Sequence, residues 1–124
     1  MNSAKTISMD ISGKWFFKEE FETGVCNGEA KLFQEDNKLW GEIEMTENIK
    51  GQSPLHLIQK LAGIVLDKKI VLKGTSYKIL NGGDFRTEYS LDNWEGNINS
   101  EGKIIGSSID QEGTCGIFVM ERSK

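Results

Sequence analysis

The sequence predicts an all-β domain, an eight-stranded antiparallel up-and-down barrel closed on itself. Three observations predict it. Apolar and polar residues alternate with a period of two over short runs, and turn signals recur roughly every 8–12 residues, the pattern of a β sandwich or barrel. The chain holds 14 Gly and one Pro, which suits tight turns and bulges between strands. Its 124 residues suit one domain, with residues 1–10 as a flexible leading segment.

The first run is about Ser12 to Glu22, with Trp15, Phe17, Glu19 and Phe21 on one face and Lys14, Lys18, Glu20 and Glu22 on the other. Phe16 breaks the rule on the outer face. The break is Thr23 to Gly28. The second run is about Glu29 to Glu35, and Asp36-Asn37 forms a turn because both residues tolerate left-handed backbone angles. The third run is Lys38 to Thr46, with Leu39, Ile43 and Met45 on one face, and Glu47 to Pro54 reads as a polar loop near a barrel end, placed to gate it.

The segment after Pro54 carries two patterns. Ser53-Pro54 resembles a helix start and Gly63 a helix stop, with Leu55, Ile58, Leu61 and Ala62 on one helical face. The same residues also alternate. A strand from Leu57 to Leu66, turning at Asp67-Lys68, is the favoured reading. The remaining runs are Lys69 to Leu80, Glu88 to Asn99, Lys103 to Asp110 and Thr114 to Arg122, separated by Asn81 to Asp84, Ser100 to Gly102 and Gln111 to Gly113.

Connections this short exclude parallel neighbours, which need long crossovers. Eight antiparallel strands left open would expose two edges, and pairing the last with the first removes both. A barrel of eight is wide enough to be filled by side chains or to hold one small ligand.

Gly13-Lys14-Trp15 at the start of the first strand resembles the Gly-x-Trp signature of lipocalins and the wider calycin barrels. The phrases Leu39 to Ile43, Trp94 to Ile98, Gly102 to Gly106 and Gly113 to Phe118 are similar to small bacterial lipocalin-like domains. The resemblance implies that Trp15 plugs the closed end and that Arg122 packs over it. The chain departs from a full lipocalin in its short length and in lacking the Thr-Asp-Tyr motif and the C-terminal helix. Avidin-like barrels match the size, but no set of biotin-contacting residues is evident.

Composition narrows the function. The net charge is −4 and no basic stripe exists to track a phosphate backbone, so nucleic acid is not expected. No apolar run approaches a membrane span, and the first ten residues lack the apolar core of a signal peptide, so a cytoplasmic location is expected. His56 is the only His, which excludes multi-histidine metal sites and reads as a surface or rim residue. Cys26 and Cys115 read as two free, partly buried thiols, with a disulfide as the alternative. Glu42 and Glu44 fall on the outer face. No catalytic, metal or cofactor motif appears.

The resulting expectation is a non-enzymatic binding barrel for a small, partly hydrophobic molecule. Trp15, Phe17, Tyr77, Tyr89 and Trp94 are the candidate cavity-lining residues, with Trp40 and Phe85 as further aromatics. Glu19 or Arg86 is the candidate polar anchor, since a buried carboxylate must be paired or neutral. The alternative is a protein–protein interaction module with a side-chain-filled barrel, working through Trp40 and the acidic outer face. A filled interior favours that alternative.

Overall fold

In the computed structural model, which describes residues 9–82 and 88–123, eight strands close into a barrel in the order β1-β2-β3-β4-β5-β6-β7-β8. They are β1 (Gly13–Phe21), β2 (Gly24–Glu35), β3 (Lys38–Ile49), β4 (Leu55–Leu66), β5 (Lys69–Gly82), β6 (Asp92–Ile98), β7 (Ile104–Asp110) and β8 (Cys115–Arg122). Every neighbouring pair is antiparallel, and β1 pairs with β8 from Trp15↔Arg122 to Phe21↔Gly116. The expected up-and-down barrel is therefore the observed fold.

Several boundaries differ from the expected ones. The ambiguous segment is strand throughout, from Leu55 to Leu66. Alternation wins over the helix signals because Leu55, Leu57, Gln59, Leu61 and Val65 all face inward and are buried. β2 begins at Gly24, so Val25 to Gly28 is strand rather than loop. Likewise β3 continues to Ile49, which takes Glu47 out of the expected gate loop and into the barrel wall. β6 is shorter than expected, and 88–91 lies outside it. The turn residues Asp36 and Asp67 adopt φ of 54° and 56°, the left-handed angles their short polar side chains tolerate.

Close strand contact needs glycine at some wall positions. A Cβ on Gly28 would lie 2.0 Å from the Glu44 carbonyl oxygen across the β2–β3 pair. β5 pairs with β6 only from Lys69 to Lys73, although it continues for nine more residues along β4. Bulges between His56 and Leu57 and between Lys60 and Leu61 accompany this divergence. The wall therefore opens between β5 and β6 toward one end.

The opposite end is sealed. Trp15 is 1% exposed, and its indole donates to the Ile11 carbonyl at 2.9 Å. The Arg122 guanidinium lies 4.5 Å over the ring and donates to the carbonyls of Ser12 and Asp10, both at 2.7 Å. Closure makes this contact, as Trp15 and Arg122 are direct β1–β8 partners. The expected flexible segment 1–10 falls mostly outside the described residues, but Met9 and Asp10 already contribute carbonyls to contacts with Gln34 and Arg122. Leu32, Leu39, Val65, Ile70, Ile98, Ile104 and Met120 complete the apolar fill at this end.

The two tryptophans of opposite parity give a direct test. Trp15→Ala should destabilise by about 3–5 kcal/mol through cavity formation, whereas Trp40→Ala, on the outer face, should change stability by about 0.5 kcal/mol or less. Urea unfolding of both variants measures the difference.

Candidate functional site

The candidate site lies at the end opposite Trp15, where polar side chains replace the apolar fill. Alternation brings Glu19 inward from β1, Cys26 from β2, Glu47 from β3, Gln59 from β4, Asp92 from β6 and Ser108 from β7, all of them buried. Glu19, Cys26, Glu47 and Asp92 line a cavity of about 30 Å³, together with Phe21, Tyr89, Asp110, Thr114 and Cys115. That space holds one group of about water size. Among the described residues the rest of the barrel interior is filled by buried side chains, and roomier concavities lie on the outer wall. One of these, of about 470 Å³, lies between Lys14, Lys31, Glu29, Glu42, Glu44 and His56.

Asp92 is held from three sides. Its Oδ2 accepts from Tyr89 Oη at 2.7 Å and from Gln59 Nε2 at 2.8 Å, while its backbone N–H donates to Gln59 Oε1 at 3.3 Å. Gln59 is on β4 and Asp92 on β6, so the amide spans the intervening β5. It passes over Gly74, where a Cβ would lie 2.2 Å from Gln59 Oε1. The glycine is what allows β4 to be stitched to β6 at the point where the β5–β6 pairing ends. Tyr89, from 88–91, packs edge-on against Tyr77 of β5 with ring centroids 6.0 Å apart and covers the gap.

Glu19 accepts a hydrogen bond from Ser108 Oγ. The Trp94 indole N–H lies close enough to the Glu19 carboxyl to favour its anion, yet no hydrogen bond of good geometry closes between them. Trp94 Nε1 is the one buried side-chain polar atom among the described residues without a partner. Burial dominates the electrostatics of this end. It raises the Glu19 pKa to about 7, opposed by the Ser108 hydrogen bond and reinforced by Asp92 and Glu47. It raises Asp92 to about 6 despite the Tyr89 and Gln59 donors. The Cys26 thiol and the Tyr89 phenol are pushed up by the same burial and by the neighbouring carboxylates, so both are neutral.

The expected site residues separate into three groups. Glu19 and Tyr89 line the mouth cavity, and Trp94 lies beside it. Trp15 and Phe17 lie deeper. Trp15 plugs the sealed end, and Phe17 packs edge-on to Trp94 at 6.0 Å and stacked on Phe118 at 6.3 Å, so both are core. Tyr77 is partly exposed at the rim. Arg86 and Phe85 lie outside the described residues. The cavity-lining role considered for Trp40 is corrected: its parity is outward, and it stacks on Phe33 at the surface at 6.0 Å.

Cys26 and Cys115 are free, one buried and the other exposed rather than both partly buried. β1 lies between their strands, so the thiols are two strand spacings apart, roughly 9–10 Å, beyond disulfide reach. His56 sits on the outer wall, 3.0 Å from Glu44 Oε2. Gln59, Glu47, Asp92 and Ser108 were missed by sequence reasoning. Their signal was available, since each is a polar residue at inward parity in an alternating strand, on the same face as Leu57, Met45, Trp94 and Ile104.

Glu19 and Asp92 have folded-state pKa values above their ordinary ones, so the folded state binds more protons between about pH 4 and pH 7. Their contribution therefore declines as pH rises through this window and levels off above it, a loss on the order of 3 kcal/mol for each group. Denaturant unfolding from about pH 5 to pH 8 should show the decline, and Glu19→Gln should flatten most of it. Separately, Gly74→Ala should cost about 2 kcal/mol or more by displacing Gln59 from Asp92. Gly102→Ala, whose φ of 79° strains any side chain but whose Cβ meets nothing, should cost only about 1 kcal/mol. Equal costs in thermal unfolding would contradict the Gln59 bridge.

No protein-family profile matches the chain, and neither does any curated protein sequence. Solved structures do resemble it. One is a redesigned β barrel, mFAP1, bound to DFHBI, with a TM-score of 0.62 and 13% identity over 90% of this chain and 94% of that one. Another is a de novo designed fluorescence-activating β barrel, with a TM-score of 0.56 and 13% identity over 91% of this chain and 94% of that one. At this identity the likeness concerns the fold: the chain is a small closed β barrel.

Proposed function

We propose that the chain is a non-enzymatic binding barrel that takes a small, partly hydrophobic molecule at its mouth rather than deep in its lumen. One observation carries the reading. Buried carboxylates, a thiol and a phenol converge on a cavity beside apolar rings, in a barrel whose other described inward residues are mostly aliphatic and aromatic. Ligand sites combine apolar walls with a few placed polar groups in this way. The cavity of about 30 Å³ is far below the volume of a drug-sized ligand, so a polar head would enter and the remainder would lie over Phe21, Tyr89 and the β5–β6 gap. The barrel of mFAP1, similar in fold, binds the small molecule DFHBI, which supports the same use of this architecture. Two free thiols suit a reducing compartment, and we place the protein in the cytoplasm on that basis. No helix among the described residues is long and apolar enough to cross a membrane.

The filled interior favours a second reading, a protein interaction module. Its surface would be the exposed Phe33–Trp40 stack with Ile64 and Val71 on the neighbouring outer strands.

Native mass spectrometry of protein purified from its own source separates the two. A discrete extra mass that leaves on denaturation, and is lost from Tyr89→Ala, supports the mouth site. A clean mass with a copurifying protein that Trp40→Ser releases overturns it in favour of the outer face.

A further inference from the structure

The outward face of β6, β7 and β8 differs from the wall beside it. On β1 and β2 the outward positions are mostly charged, with Lys14, Lys18, Glu20, Glu29 and Lys31 exposed. β7 instead turns Ile105, Ser107 and Ile109 to solvent. β8 turns out Cys115 and Ile117, with Val119 half-buried opposite Ile105. Ile117 is 63% exposed, more than any other large apolar side chain among the described residues, and Ile105 and Ile109 are 45% and 46% exposed. Clustered exposed apolar side chains of this kind mark contact surfaces. β7 pairs with β6 and β8, and β8 with β1, so this surface offers side chains rather than a free strand edge.

The face carries a projection beside a depression. Ser107 is short between Ile105 and Ile109, and the surface dips there into a concavity of about 340 Å³, lined by Val71, Asn93, Glu95, Ser107, Ile109 and Cys115. Ile117 lies directly across the ladder from Ser107, at the edge of that concavity. A two-fold interface uses such a pair. The rotation that seats a projection of one copy in the depression of the other does the reverse at the same time. The rim holds charges of both signs. Lys18 and Glu20 of β1 lie opposite Val119 and Ile117, Lys69 pairs with Glu95 at 2.8 Å, and Lys103 pairs with Glu121 at 3.0 Å. A balanced rim selects neither a strongly acidic nor a strongly basic partner, and a two-fold rotation can bring cations of one copy beside carboxylates of the other.

We propose that the chain pairs with a second copy of itself through the outer face of β6, β7 and β8, with Ile117 of each copy seated in the Ser107 depression of the other. The surface is distinct from the mouth and from the Phe33–Trp40 stack, and the inference does not rest on either. Its size sets the strength. β6 and β7 have seven residues each, a length of about 23 Å, and the four strand spacings from β5 round to β1 span about 19 Å. The face is therefore roughly 440 Å² per copy, against about 800 Å² per partner in a stable complex of standard size. The dimer is accordingly weak and reversible, with a dissociation constant on the order of 10–100 μM.

The test is sedimentation velocity of the whole chain from about 5 μM to about 500 μM, a range that brackets the expected constant. The chain should pass from monomer to dimer across it. Ile117→Lys sets a charge on the two-fold contact, and Ser107→Trp fills the depression. Each should weaken association about tenfold or more. Both positions face solvent in the single copy, so the melting temperature measured at low concentration should stay within a few degrees of the parent. Cys115 is the exposed thiol and lines the depression, so its alkylation should slow as the parent protein is concentrated, and should not slow in Ile117→Lys. A monomer at every concentration, with the fold intact by circular dichroism, would overturn the proposal. A dimer that survives both substitutions would also overturn it, and one that Trp40→Ser dissolves in their place would move the contact to the Phe33–Trp40 face.

Discussion

Closure of β8 onto β1 is the constraint on which the rest of this barrel depends. Once the sheet is closed, each strand has one face turned into a lumen of fixed width, and eight strands leave room for little more than side chains. The Trp15–Arg122 contact is the local expression of that closure. It joins the first residues of β1 to the last of β8, stacks a guanidinium on a buried indole and ties down the carbonyls of Asp10 and Ser12. Beneath the Trp15 plug the sealed end is filled with apolar side chains such as Leu32, Val65, Ile70 and Ile104.

The other end follows the opposite rule. β5 and β6 separate above Lys73, and the gap is bridged by side chains rather than by a backbone ladder. Gln59, Asp92 and Tyr89 form that bridge, and Gly74 makes space for it. A polar network of this kind is costly to bury unless its members are satisfied. Asp92 meets that condition. Glu19 meets it in part, because Trp94 approaches without completing a hydrogen bond and burial drives the carboxyl toward its neutral form. The unmet terms sit together at one place, beside the small space that Glu19 and Asp92 line. The similar designed barrels, at 13% identity, share the fold of a small closed barrel.

Alternation along single strands determined much of this protein by itself. The period of two named the strands, the short turns made them antiparallel, and edge avoidance closed them. Parity alone placed Trp15, Phe17, Glu19 and Trp94 inside, and Phe16 outside. Parity was also sufficient to place Gln59 and Asp92 inward, but a lone polar residue in an alternating run gives no sign of having a partner 33 positions away. Only the tertiary structure decided which inward residues meet, because the register across three strands is not written in any one of them. It decided that Glu47 is wall rather than loop, that Trp40 faces solvent against Phe33, and that the described inward residues pack the lumen down to a small space at the mouth. Those outcomes depend on barrel width, shear and the β5–β6 divergence, which arise from the summed packing of all eight strands and from no local pattern.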